Sequence, residues 1–142
     1  MKKLLLPICL ITFALVSCKK DKDEPTCVVS TASVTGNYKM TAGTYKQTPT
    51  STDLDFFASL DACEKDDIYG FAAGGVLNYQ DAGTVCSPNG SYTGTWSVSG
   101  TTMLNLDGEL TTIQSFNCTT LIVTLADFIV AGDKLTITFV KQ

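Results

Sequence analysis

Among its 142 residues the chain has no histidine and no arginine. The first absence removes the usual general base at neutral pH and the commonest transition-metal ligand. The second removes the bidentate clamp for phosphate or carboxylate. A histidine-based hydrolytic triad is therefore excluded, and nothing in the sequence assigns a catalytic residue or a cofactor. Basic residues are scarce as well: 10 lysines stand against 14 acids, with no basic stripe. That balance argues against nucleic acid as a partner and against electrostatic adhesion to anionic lipid. No apolar run approaches the ~20 residues that span a bilayer. The longest, near residues 4–17, covers roughly fourteen and contains Pro7.

That run has a different meaning in its setting. Met1-Lys2-Lys3 is a basic start, Leu4 to Ala14 is an apolar core, and Leu15-Val16-Ser17-Cys18 closes it. Residues 1–17 thus read as a secretory signal peptide. Leu-x-Ser-Cys has the form of the bacterial lipobox, so Cys18 is expected to carry lipid on its thiol and to begin the mature protein. More than one acyl chain there makes anchoring stable, since one chain alone is marginal. Behind it, Lys19-Lys20-Asp21-Lys22-Asp23-Glu24-Pro25-Thr26 cannot bury enough apolar surface to fold. Residues 18–33 are read as a lipidated flexible tether, and 34–142 as one domain. Loss of Lys2 and Lys3 leaves 8 lysines against 14 acids, a net charge of −6.

Six cysteines divide by fate. Cys9 leaves with the signal and Cys18 takes the lipid. Cys27, Cys63, Cys86 and Cys118 remain, an even number for an oxidising compartment. Four cysteines allow three pairings, and spacing alone does not choose among them. No Cys-x-x-Cys occurs, so a zinc site is disfavoured.

Short runs rich in Thr, Val, Ile, Leu, Tyr and Phe then recur between turn residues, the mark of an all-β sandwich or barrel. Eight are expected: 36–45, 67–72, 75–80, 91–99, 102–106, 109–116, 119–126 and 134–140. Tyr38, Met40 and Ala42 share one face of the first. Tyr92, Gly94, Trp96 and Val98 share a face of the fourth, and Leu135, Ile137 and Phe139 point inward from the last. Ala73-Gly74-Gly75 and Asp107-Gly108 are hairpin turns. One stretch departs from the pattern. Thr52-Asp53-Leu54-Asp55-Phe56-Phe57-Ala58-Ser59-Leu60 has acids at its start and apolar residues at helical spacing, which predicts a short helix over 53–60 covering one end of a barrel.

Ala62-Cys63-Glu64-Lys65-Asp66-Asp67-Ile68-Tyr69-Gly70-Phe71, then Gly75-Val76-Leu77-Asn78-Tyr79, Cys86 and Gly94-Thr95-Trp96-Ser97-Val98, is similar to the lipocalin-like domains of Bacteroidetes lipoproteins. Ser17-Cys18-Lys19-Lys20-Asp21 resembles the start of such lipoproteins too, including their signal for export to the outer membrane and often to its outer face. The resemblance implies an eight-stranded antiparallel up-and-down barrel and a bridge from Cys63 to Cys86, which leaves Cys27 for Cys118. The chain departs from the family at Gly36-Asn37-Tyr38, where Gly-x-Trp is usual. Tyr38 can fill the same floor, but its buried hydroxyl then requires a partner.

Tyr38, Tyr92, Trp96 and Phe139 are the candidates either to line a ligand cavity or to fill the core, since a barrel of this size can do either. Glu64, Asp66 and Asp67 lack the spacing of a calcium loop and read as a solvated approach to a strand. Asp53, Asp55 and Asp61 read as exposed helix acids rather than a hydrolytic pair. Asn89-Gly90-Ser91 and Asn117-Cys118-Thr119 read as turns, not glycan acceptors. The expectation is a non-enzymatic lipoprotein anchored by Cys18 at the outer membrane, without metal, that binds a small apolar ligand inside its barrel. The alternative is an interaction module with a filled interior, using the barrel's exterior.

Overall fold

A computed structural model describes residues 27–142 of the protein; the stretch expected to be a signal peptide, Cys18 with its expected lipid, and residues 19–26 of the expected tether lie outside them. The described chain opens with a single helical turn, α1 (Thr31–Val34), capped by Ser30 and Ser33, which each satisfy the other's backbone N–H. Eight strands follow: β1 (Gly36–Lys46), β3 (Ile68–Ala72), β4 (Val76–Gln80), β5 (Tyr92–Ser99), β6 (Met103–Leu106), β7 (Glu109–Phe116), β8 (Thr120–Ala126) and β9 (Lys134–Lys141). Each runs antiparallel to the next, and β9 pairs with β1 to close an eight-stranded antiparallel barrel. Closure leaves no long open edge.

Between β1 and β3 the chain differs from the expected helix over 53–60. Leu54–Asp55 forms a two-residue strand, β2, on the edge of β1 that β3 leaves free. Only Phe56–Ser59 is helical, as α2, with the Asp55 carboxylate accepting from Ala58 N–H at 2.8 Å. The acids that suggested a longer first turn are used otherwise: Asp55 is the cap, and Asp53 pairs with Lys46 at 3.4 Å. Phe56, Phe57 and Leu60 still pack against the core and cover that end of the barrel.

A second difference lies in β1. Its pairing with β9 slips between Met40 and Ala42, so the inward position after Met40 is Gly43, and Ala42 faces out. A bulge of this kind shifts every later side chain to the other face. Gly43 is buried, with the Phe56 ring in the space a side chain would fill.

Alternation fills the interior. Val34, Tyr38, Met40, Phe71, Leu77, Trp96, Leu104, Ile113, Leu121, Val123 and Phe139 form one buried cluster. Each large apolar side chain placed there contributes about 1.5–3 kcal/mol. Strand direction gives the barrel two ends. The tether end holds α1, the β3–β4, β5–β6 and β7–β8 turns, and the C-terminus. The loop end holds the β1–β3 and β4–β5 connections, the Asp107-Gly108 turn and the β8–β9 loop. Each has a disulfide: Cys27–Cys118 at the tether end and Cys63–Cys86 at the loop end.

Candidate functional site

Three of the four aromatic candidates are core. The rings of Tyr38, Phe71 and Trp96 sit in series, 5.2 Å apart at each step. Trp96 donates its Nε1–H to the Ala72 carbonyl at 2.9 Å. Tyr38 finds the partner its burial requires, donating to the Val34 carbonyl at 2.8 Å. Burial pushes that phenol up to about 12. Phe139 is buried against Tyr69, with centroids 4.9 Å apart. Tyr92 is different: it lies at the loop end, half exposed, against Tyr79 at 5.2 Å. The structure therefore does not bring the four together around one space.

Toward the loop end the interior becomes polar. Tyr69, Tyr79 and Tyr92 make a ladder around the mouth, with Tyr69 and Tyr79 centroids 5.1 Å apart. Tyr79 donates to Asp67, whose other oxygen accepts from Ala82 N–H at 3.1 Å. Burial, helped by the charge on Asp67, pushes Tyr69 up to about 12. Burial and that hydrogen bond raise Tyr79 too. Asp107 lies over Gly94, where any side chain would strike its carboxylate, and accepts from Thr95 N–H at 2.5 Å. Asp107 also faces Tyr92, whose phenol is raised first by burial and then by that carboxylate.

The acids expected to be solvated are loop clamps instead. Asp67 is buried, and Asp66 accepts from Thr84 N–H at 2.9 Å. Asp81, also buried, accepts from Cys86 and Gly90 N–H. Glu64 accepts from Asp61 N–H at 2.8 Å. The reason is geometric: the β1–β3 and β4–β5 connections cross the same end of the barrel, and their backbone donors need acceptors there. Asn117 does similar work at the other end, accepting from Thr119 and Thr120 N–H.

Sequence reasoning passed over the most elaborate of these clamps. Asp133 is buried at the base of the β8–β9 loop and accepts from Phe128, Ile129 and Val130 N–H at 2.6, 2.9 and 2.9 Å. The Tyr45 hydroxyl adds a fourth bond at 2.8 Å. Burial alone would raise this carboxyl, but the Val130, Tyr45, Ile129 and Phe128 donors outweigh it and hold it below the ordinary value of 3.8. Asp127 accepts from Gly132 N–H at 2.6 Å. Thus fixed, the loop holds Phe128, Ile129 and Val130 out toward solvent. Three apolar residues between two aspartates in a turn were the available signal.

Two hollows lie toward the loop end; none of the buried cluster lines either, but Tyr79 and Tyr92 of the mouth ladder wall the second. One of about 350 Å³ lies at the loop end, lined by Lys46, Thr48, Pro49, Ala126, Asp127, Gly132, Asp133 and Lys134. The other, about 290 Å³, is a shallow depression over β4 and β5.

The family of lipocalin-like domains matches residues 34–125, more than half of the chain. The chain belongs to the lipocalin-like domain family. The match starts at Val34, under the floor of the barrel, and ends in β8. In this lipocalin-like domain β9, beyond the matched residues, completes the closure against β1. No curated protein and no solved structure matches the chain.

Proposed function

We propose that this protein is a lipid-anchored, non-enzymatic lipoprotein of the outer membrane, and that it binds its partners at the loop end rather than inside the barrel. The lipobox ending in Cys18 supports the anchor, and the absence of histidine and arginine supports a role without catalysis. The filled interior carries the rest: Trp96, Phe71, Tyr38, Leu77, Leu104 and Phe139 occupy the space where a barrel of eight strands could otherwise hold a ligand. The loop end, by contrast, presents Leu54, Phe128, Ile129 and Val130 to solvent.

The second reading, a small apolar ligand within the barrel, draws on the family, whose fold suits such ligands. Here it requires Phe56, Phe57 and Leu60 to swing away from the mouth. Two experiments test the proposal. Growth with an alkyne-tagged fatty acid labels the wild-type chain and leaves Cys18→Ala unlabelled and released from the membrane; equal labelling of both refutes the anchor. Native mass spectrometry of the protein from its own membrane then separates the two binding modes. A small molecule retained through gas-phase activation supports the interior site, and a partner lost from a loop-end variant supports the exterior one.

A further inference from the structure

We infer that the loop end is a membrane-docking surface: the β8–β9 loop places Phe128, Ile129 and Val130 in the interface of a zwitterionic bilayer, the same one that holds the lipid of Cys18. This names the partner of the loop end, and it rests on reading the chain as lipid-anchored. The three side chains are exposed by 38, 65 and 46%. The loop is not loose around them. Phe128 packs edge-on against Phe56, with centroids 5.9 Å apart, and against Tyr45 at 6.5 Å.

The backbone behind this tip is prepared for a medium without water. At the edge of hydrocarbon an unpaired N–H is costly, because no solvent replaces the lost bond. Phe128, Ile129 and Val130 give all three of their N–H groups to the Asp133 carboxylate, at 2.6, 2.9 and 2.9 Å. Asp127 N–H goes to the Asp133 carbonyl and Asp133 N–H to the Val130 carbonyl, both at 3.1 Å. Gly132 N–H goes to the Asp127 carboxylate at 2.6 Å. Six of the seven N–H groups in 127–133 thus find acceptors inside the loop itself. A turn that stays in water needs no such saturation, since water serves the same donors.

Area favours a bilayer over a protein. The exposed part of the triplet is on the order of 300 Å², far below the ~800 Å² per partner of a stable protein interface. A contact that small is effective where a second attachment keeps the surface close, as lipid on Cys18 does. From Cys18 to Cys27 the chain advances nine residues, which reach about 30 Å when extended. The eight residues of β9 span about 27 Å. The loop end can therefore turn down to the anchoring membrane, although Cys27 joins the barrel at the opposite end. Charge sets the lipid. Around the base of the tip Lys46 and Lys134 stand among Asp53, Asp127 and Asp133, so no cationic excess calls for an anionic headgroup.

The test couples the chain from Cys18 onward, through that thiol, to a maleimide lipid in phosphatidylcholine vesicles. Its outcome then does not depend on native lipidation, which the fatty-acid labelling above reads separately. The other four cysteines are closed in disulfides, and every described residue is retained. Tryptophan is the probe, and phosphatidylcholine brominated near the top of its chains quenches only what enters the bilayer. Ile129→Trp should lose about half of its added emission and shift to the blue. Wild-type Trp96, 2% exposed in the core, should be unchanged. Val76→Trp puts the same probe on the β3–β4 hairpin at the tether end, at a position 38% exposed, and should stay unquenched. Adding Val130→Asp to Ile129→Trp should abolish the quenching. Quenching of Val76→Trp in place of Ile129→Trp, or of both equally, would overturn the loop-end contact. Quenching of neither would overturn it too, and would leave a protein as the partner there. Quenching that survives Val130→Asp would overturn the role of the triplet.

Discussion

The two ends of this barrel solve one problem by different chemistry. At the tether end, α1 presses Val34 under the floor, Tyr38 donates to a backbone carbonyl, and Lys141 extends over the Tyr38 ring to reach the Ser33 carbonyl at 3.0 Å. Apolar contact and a disulfide of long span do most of the closing. At the loop end Asp66, Asp67, Asp81, Asp107 and Asp133 gather backbone N–H groups from neighbouring connections. The tether end is sealed by apolar contact and by side-chain donors to backbone carbonyls, and the loop end by carboxylates that accept from backbone N–H groups. One end is built as a plug, and the other as a frame for exposed side chains.

Breaking the plug should cost most. Replacing Cys27 and Cys118 together by serine opens a loop with a sequence separation of 91, and the chain-entropy estimate for that span is about 4–5 kcal/mol. Trp96→Ala, which leaves a cavity in the aromatic series, should cost about 3–5 kcal/mol. Removing Cys63 and Cys86 opens a loop with a separation of 23 and should cost about 3 kcal/mol, less than the tether-end bridge. Denaturant melts read by circular dichroism check all three. Equal losses for the two bridges would break the comparison.

The frame should show itself through pH. Asp133 titrates below its ordinary value of 3.8, so it stabilises the fold fully above that value. As pH falls below about 4 the unfolded chain takes up the proton first, and the stabilisation disappears as pH passes through the lower folded value. Asp133→Asn should lose that part of the acid sensitivity and speed amide exchange at Phe128, Ile129 and Val130. Exchange at Tyr38 and Val34 should hardly move. The smallest effect belongs to Tyr38→Phe, which removes one buried hydrogen bond and should cost about 0.5–1.5 kcal/mol with no new pH dependence.

The plug was more legible in the sequence than the frame. Period-two alternation in 134–140 and 119–126 marks inward residues whatever lies opposite, so Leu121, Val123, Leu135 and Phe139 could be placed from the chain alone. The order of Cys63, Gly94, Trp96 and their neighbours added the closed barrel. The bulge after Met40 carries no compositional mark, and it moved Ala42 outward. In 53–60, apolar spacing fits a helix and equally a short strand followed by one turn; the free edge of β1 decided for the second. The carboxylate clamps were hidden for a deeper reason. Asp133 serves N–H groups three to five residues back, and Asp67 meets Tyr79 and Ala82 across a hairpin, so their burial follows from closure and not from local pattern.

The Cys27–Cys118 bridge also decides how the protein takes a mechanical load. A pull arriving along the chain ahead of Cys27 passes through sulfur to Cys118, in the turn between β7 and β8, and does not run on through α1 into β1. Everything between the two cysteines, six of the eight barrel strands (β1 and β3 to β7) included, forms a covalent ring that cannot be drawn out. Drag on the domain therefore bears on a hairpin inside a closed sheet, where strands share the force through their hydrogen bonds and no single edge is peeled away.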